Sequence, residues 1–380
     1  MPALRILHAP ENTGGHPQGL VEAERELGLA STGIALHPTP FGYPSDEIVL
    51  ADDPGLLTRE LRRLRLIRRA LRDFDVVHFN FGLSFTSPYV PPGAAPPGES
   101  HALLRRLYRG STRIAEQRDL PLLKRAGRGI AVTFQGDDAR QGDRLARFDV
   151  NPLAELPPHY YTPAGDAHKR VRIERWARYA DRIYALNPDL LHVLPPNARF
   201  VPYASVDPRT WTPVLPANDV PLVVHAPTHQ GIKGTRFVLA ALDRLRDEGV
   251  RFELALVEGL TRSEARRTYE RADLVVDQLL LGWYGGVAVE AMALGKPVVC
   301  FLRQDDLGFL PHGMRDQLPV AEADPSTVYD VLRRLITGGR EQLADLGRRS
   351  RLYVERWHDP MRIAADLAGD YRAIARADGN

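Results

Sequence analysis

The chemically most promising residues sit in one run, Gly282-Trp-Tyr-Gly-Gly-Val-Ala-Val-Glu-Ala-Met-Ala-Leu-Gly-Lys-Pro-Val-Val-Cys300. Two adjacent glycines, Gly285 and Gly286, open an alanine-rich helical pattern that carries a single carboxylate, Glu290. Bare backbone N–H groups at a helix N-terminus make an anion site. A carboxylate about one turn further in is placed to accept hydrogen bonds from the hydroxyls of a ribose attached to that anion. Gly295 and Pro297 stop the helix, and Val298–Phe301 reads as a buried strand. A second run supplies a cation. The strand Leu222–Ala226 leads into Pro227-Thr-His-Gln-Gly-Ile-Lys-Gly-Thr235, which sets Lys233 between glycines just ahead of a helix. An ammonium there is a compact point charge for a phosphate. Lysine is rare in this chain, with Lys124, Lys169, Lys233 and Lys296 standing among 50 basic residues, so one kept at a glycine loop is informative. Lys296, at a helix end, reads as a cation favoured by the helix dipole.

The first half of the chain offers partners for such a site. Its first strand ends in Ala9-Pro-Glu-Asn-Thr-Gly-Gly-His16, and Gly14 and Gly15 leave backbone that a ligand can approach. The spacing is not the dinucleotide fingerprint G-x-G-x-x-G. His78, Gln135 and Asp137 fall at strand ends, where ligands of parallel sheets are met. The neighbouring Asp137 and Asp138 suit turns and caps better than a metal. The histidines and Cys300 show no zinc spacing, and there is no G-x-S-x-G nucleophile elbow. No metal site is expected.

These residues must be positioned by alternating elements. Strands are expected at 4–9, 33–37, 75–81, 129–134, 182–186 and 199–203, with helices at 19–27, 57–73, 101–116 and 169–179. A proline-rich stretch after Tyr203 reads as a linker. A second series then begins, with strands at 221–226, 252–257, 274–277 and 298–302 and helices at 235–247, 263–271 and 360–374. Strand and helix in alternation make parallel sheets covered on both faces. The chain therefore divides into 1–210, 211–356 and a terminal helical segment 357–380. Residues 87–100 hold too many prolines for regular structure and read as a loop, either a mobile one that covers an acceptor in a two-domain cleft or a plain surface loop.

Composition narrows the functional classes. With 380 residues, 44% hydrophobic, 26% charged and net charge +2, the chain is expected to be a soluble two-domain protein without a nucleic-acid partner. One cysteine, no apolar run near the ~18 residues needed to span a bilayer and no signal segment point to the cytoplasm. Leu57, Leu61, Leu64, Ile67 and Leu71 form one stripe on an arginine-rich helix. That stripe is expected to pack on the core; the alternative is peripheral attachment of segment 57–74 to anionic lipid.

In chain order these segments resemble the GT-B-fold retaining glycosyltransferases of family 4. The resemblance rests on the Gly14–Gly15 loop, DVVHFN at 75–80, GDDAR at 136–140, NPDLLHVLPPNARFVPYASVD at 187–207, Lys233–Gly234, and above all WYGGVAVEAMALGKPVV at 283–299. It implies an α/β fold of two doubly wound Rossmann-like domains facing a central cleft. The first would bind an acceptor and the second a nucleotide sugar, UDP- or GDP-linked, and a last helix would cross back to the first domain. It implies transfer to a saccharide or lipid-linked acceptor hydroxyl with retained configuration, in polysaccharide or glycoconjugate biosynthesis, with no metal or cofactor. Lys233 matches the phosphate lysine and is the expected catalytic residue. Tyr284, Gly285, Gly286 and Val287 match the loop whose amides meet the diphosphate, and Glu290 matches the ribose glutamate. His229 lies in the donor region, where the expected arginine is absent. The first glutamate of the family's E-x7-E pair falls at Gly282, and Gln135 replaces a histidine. These departures keep open a catalytically silent nucleotide-binding or partner-binding subunit. A nucleotide-sugar epimerase would need acid/base carboxylates beside the donor, and no convincing set is found.

Overall fold

The computed structural model describes residues 3–39, 41–52, 54–88, 110, 112 and 114–376. Most of the expected loop at 87–100 and helix at 101–116 falls outside them. Two parallel sheets organise the chain. The first contains β1 (Arg5–Ala9), β2 (Ala30–Ala35), β3 (Glu47–Ile48), β4 (Val76–Asn80), β5 (Gly129–Phe134), β6 (Arg182–Ala185) and β7 (Arg199–Phe200), in the order β3-β2-β1-β4-β5-β6-β7. The second contains β8 (Leu222–His225), β9 (Glu253–Leu256), β10 (Leu274–Val276), β11 (Val298–Cys300) and β12 (Ala321–Glu322), in the order β12-β11-β10-β8-β9. Every residue of β4 and β5 is buried, as strands covered by helices on both faces must be. The expected strand at 33–37 is shifted toward the N-terminus because Arg5–His8 pair with Ala30–Gly33. The expected strand at 199–203 shrinks to two residues, with Pro202 lacking the N–H a ladder needs.

Each sheet has one point where the strand order reverses, between β1 and β4 and between β8 and β10. Ligands of such sheets bind beyond the carboxyl ends of the strands there. The loops at those ends are the ones that carry Gly14–Gly15 and Lys233.

The helices used below are α1 (His16–Glu26), α2 (Leu56–Asp73), α3 (Pro163–Tyr179), α4 (Gln230–Lys233), α5 (Thr235–Asp247), α6 (Arg262–Arg271), α7 (Gly286–Ala293), α8 (Arg340–Trp357) and α9 (Pro360–Arg376). Asp359 accepts the Met361 N–H at 2.9 Å and Pro360 occupies the first turn, so α9 starts sharply. Its Ile363, Leu367, Tyr371 and Ile374 pack with Leu20 of α1 and with Ile6, Val76 and Ala131 of the first sheet. The chain thus leaves the second sheet through α8 and ends on the first.

Only the later part of the α2 stripe packs as the sequence suggests, with Ile67 buried and Leu71 half-buried against the core of the first sheet. Leu57, Leu61 and Leu64 are exposed, whereas Arg59, Arg63, Leu66, Ile67 and Ala70 are buried. Arginine bonds key the helix in this rotation. Arg63 donates to Phe85 O at 2.7 Å, and Arg62 donates to Val49 O at 2.9 Å and to Asp52.

Candidate active site

At the reversal point of the second sheet, the loops after β8 and β10 meet. Lys233 ends α4, and its Nζ lies 2.6 Å from Asp277 Oδ1. Asp277 follows β10, and its other oxygen accepts the Gly285 N–H at 2.6 Å. Both members of the ion pair are buried. Removing one partner of such a pair costs about 3–5 kcal/mol, so Lys233 is firmly held. A Cβ on residue 285 would stand 3.0 Å from Nζ, so glycine is what lets the ammonium come up against the start of α7. Gly285, Gly286 and Val287 are half-buried between fully buried neighbours. The Gly286 and Val287 N–H groups belong to the first turn and have no intrahelical acceptor. A cation and free backbone donors therefore converge, which is an arrangement for an anion.

One turn along α7, Glu290 is buried, and its Oε1 accepts Arg262 Nε–H at 3.0 Å. Burial pushes the Glu290 carboxyl up, and Arg262 and Arg266 oppose that shift. Arg262, the first residue of α6, also donates to Ser205 O at 2.9 Å and lies 5.0 Å from the centre of the Tyr43 ring. Tyr43 in turn covers the glycine loop of the first half. Gly15, at φ 72°, could not carry a Cβ, which would fall 2.6 Å from the Tyr43 ring. The Tyr43 ring thus packs against the face of Gly15 where a Cβ would stand. Gly14 is exposed with open space around it. A cavity of about 100 Å³ runs among Gly15, Tyr43, Ser205 and Arg262.

Two further candidates face each other across the halves. His229 caps α4, accepting the Ile232 N–H at 3.3 Å, and its ring stands edge-on to Tyr160 at 5.3 Å. Tyr160 and Tyr161 donate to Asp137 at 2.6 and 2.5 Å. Burial alone would raise the Asp137 carboxyl, but Arg140 and the two tyrosines hold it below the usual carboxylate range. Gln135 lies beside them at the end of β5 with a buried Nε2 that has no hydrogen-bond partner among the described residues.

One expectation is corrected. His78 is sealed in the core with both nitrogens used, by Tyr371 OH at 2.6 Å and Thr133 Oγ1 at 2.7 Å, so it is not a ligand contact. Tyr284 is expected to offer its backbone amide, and its side chain is buried. It stacks on Trp283, and its hydroxyl donates to His358 Nε2 at 2.8 Å. Lys296 follows the end of α7 and is buried, and burial pushes its amine down to about 8 against the pull of Asp273 and Glu270. The vacancy at Gly282 also has a cause. Its φ is 76°, and a Cβ would fall 2.6 Å from Arg303 Cβ. The Arg303 guanidinium lies 3.7 Å from the Phe148 ring centre and donates to Asp306 and to Val150 O of the first half. Asp277, Arg262, Arg303, Tyr43 and Tyr160 were not singled out from the sequence. The strand-end rule that selected Gln135 would have selected Asp277 as well.

No family model matches the chain, and no curated protein matches its sequence. Solved structures do match along the whole length. Sucrose-phosphate synthase from Thermosynechococcus elongatus superposes with TM-score 0.59 at 16% identity, covering 99% of this chain and 100% of that one. The HepE protein of Anabaena, solved with UDP-glucose, gives 0.57 at 12% identity, covering 97% and 99%. The fold is GT-B. A glycosyltransferase from Rickettsia africae gives 0.56 at 12% identity, covering 99% and 100%. In a GT-B frame, the Lys233–Asp277–Gly285 constellation belongs to the second of two Rossmann-like units, at its strand-reversal point. Among the described residues no three His, Cys, Asp or Glu side chains converge to hold a metal ion, and no helix is long and apolar enough to cross a membrane.

Proposed function

We propose that this protein transfers a sugar from a UDP- or GDP-linked donor to the hydroxyl of a saccharide or lipid-linked acceptor, with retained configuration and without a metal or other cofactor. One observation carries the reading: Lys233 and the open start of α7 meet at the strand-reversal point of the second sheet, with Glu290 one turn below. Breaking the sugar–phosphate bond builds negative charge on the terminal phosphate. Lys233 and the Gly286 and Val287 N–H groups would stabilise that charge where it develops, and the departing phosphate would take the acceptor's proton. In this reading residues 211–356 hold the donor, with Glu290 turning from Arg262 to the ribose. Residues 1–210 hold the acceptor near Gln135 and Asp137 and lend the Gly14–Gly15 loop to the donor, and 357–380 fasten the two. The HepE structure with UDP-glucose, similar in fold, supports a nucleotide sugar as ligand. The protein would work in polysaccharide or glycoconjugate biosynthesis in the cytoplasm, with α2 as a contact to the inner membrane face for a lipid-linked acceptor.

A second reading has its own observation. Lys233 and Gly285 are bonded to Asp277, Glu290 is bonded to Arg262, and Gly282 carries no carboxylate. A silent nucleotide-binding subunit would show the same economy. Calorimetry with UDP, GDP and their sugars, followed by transfer assays in excess chelator, separates the two. The transferase reading expects binding and turnover. It also expects Glu290→Ala to weaken nucleotide binding by roughly 1–3 kcal/mol. Binding without turnover for any donor and acceptor would favour the subunit, and unchanged affinity in folded Glu290→Ala would remove the ribose role.

A further inference from the structure

Asp277 is the side chain at this site that the proposed chemistry does not use. It is 1% exposed and anchored in the sheet by its own N–H, which donates to Val299 O at 2.9 Å. Lys233 is anchored as well, since its carbonyl accepts the Leu279 N–H at 3.1 Å and its N–H donates to His229 O at 3.0 Å. Both oxygens of Asp277 are therefore fixed on the ammonium and on the Gly285 N–H, each at 2.6 Å. These are groups that a diphosphate at the start of α7 would also seek.

We propose that Asp277 is a built-in counter-anion that competes with the donor's diphosphate for Lys233 and the start of α7. This rests on the nucleotide-sugar reading above. In the empty site the carboxylate holds the lysine and the helix start in register. When a diphosphate arrives, two anions share one ammonium in an interior where like charges repel strongly. The result is a lowered affinity for nucleoside diphosphate, which favours departure of the product after transfer. Release of product is a step that often limits turnover. A purely positioning role predicts the opposite sign: removing the carboxylate's charge would then loosen Lys233 and weaken binding.

The sign is measurable by calorimetry at one moderate ionic strength, with UDP, GDP and inorganic diphosphate as probes. The proteins are the full chain, Asp277→Asn, Asp277→Ser, and Asp277→Asn combined with Lys233→Met. Asparagine keeps the shape and one acceptor oxygen, and serine keeps a small acceptor without charge. The expected result is at least tenfold tighter binding of the preferred nucleotide by both neutral variants, a matching gain for inorganic diphosphate, and no gain in the double variant. Equal or weaker binding by folded neutral variants, with the parent chain still binding nucleotide, overturns the competitor role and leaves the nucleotide-sugar reading standing. Failure of both neutral variants to fold also overturns it, because the carboxylate would then be a structural requirement. Absence of binding by the parent chain and by both variants overturns the competitor and the donor reading together.

Discussion

A buried ion is tolerated when it has a partner, and Lys233 and Glu290 each have one. The two partners differ in consequence. Arg262 is a third exposed, so the proposed turn of Glu290 to a ribose would leave its guanidinium to water. Asp277 is enclosed and holds Lys233 at the helix start. A cation fixed where charge appears during reaction should matter more for the chemical step than for binding. Lys233→Ala is therefore expected to lower the single-turnover rate at saturating donor by about 10²–10³, the size of losing one electrostatic stabiliser. Lys233→Arg should restore only part of it, since a planar fork does not fit the space beside Gly285 that admits a compact ammonium. A normal single-turnover rate with weakened donor binding would make Lys233 an anchor for the ground state. Removing Lys233 also leaves Asp277 buried without its cation, so thermal denaturation of the alanine variant must accompany the kinetics.

At the scale of elements, α2 is the one whose packing departs furthest from its pattern. Periodicity finds the leucine stripe correctly, but arginines whose acceptors lie far along the chain decide which face turns inward. The exposed face carries Leu57, Leu61 and Leu64 in its first turns and Arg65, Arg68 and Arg72 in its last. Apolar contact plus basic charge is the composition that binds anionic lipid surfaces. Co-sedimentation with liposomes at moderate salt is expected to show binding to acidic and not to neutral vesicles, lost in Leu61→Asp with Leu64→Asp. Equal recovery with both vesicle types, or with neither, would reject an electrostatic attachment. The same contrast explains what was legible in the sequence. β5 and α5 appear at 129–134 and 235–247 as read, because a continuous apolar run and a clear helical period leave no alternative. The alternation of elements along the chain follows from such runs, whereas the strand order within each sheet comes only from the structure. Lys233, Gly286, Val287 and Glu290 were legible as a group because they lie on one local strand–turn–helix pattern and its neighbour. The pairing of Lys233 with Asp277 spans 44 residues, and that of Glu290 with Arg262 spans 28. No local period encodes such pairs. The burial of Tyr284 and of His78 likewise depends on α8 and α9, which reach them from the far end of the chain.

Across the whole molecule, the two halves are joined where three buried histidines lie. His16 of α1 accepts the Ala204 N–H of the linker at 3.0 Å, and His78 of β4 bonds Tyr371 of α9. His358, between α8 and α9, donates from Nδ1 to Tyr203 O at 3.0 Å and accepts from Tyr284 OH. Burial lowers all three, His16 to about 3, His358 to about 4 and His78 well below the ordinary value. A histidine with a folded pKa below its unfolded value contributes stability that is complete above about 6.5 and is lost as pH falls toward the folded pKa, because the unfolded chain then binds the extra proton. Glu11 acts in the opposite sense. Burial raises it to about 7 against Arg63, so its contribution is present at acid pH and is lost as pH rises from about 4.5 to 7. A bare pH profile mixes these terms, and a difference between two proteins isolates one. His358→Gln removes a single group that titrates as the join is broken. The variant is expected to be less stable at pH 7, since a gap opens among Tyr203, Tyr284 and Tyr353. That deficit should then shrink by about 2 kcal/mol between pH 7 and pH 4.5, at about 1.4 kcal/mol for each pH unit separating the two pKa values. Urea denaturation of both proteins at several pH values measures it. Stability curves that stay parallel from pH 7 to 4.5 would mean that His358 titrates alike in the folded and unfolded chain, and that the join between the halves does not depend on its neutral form.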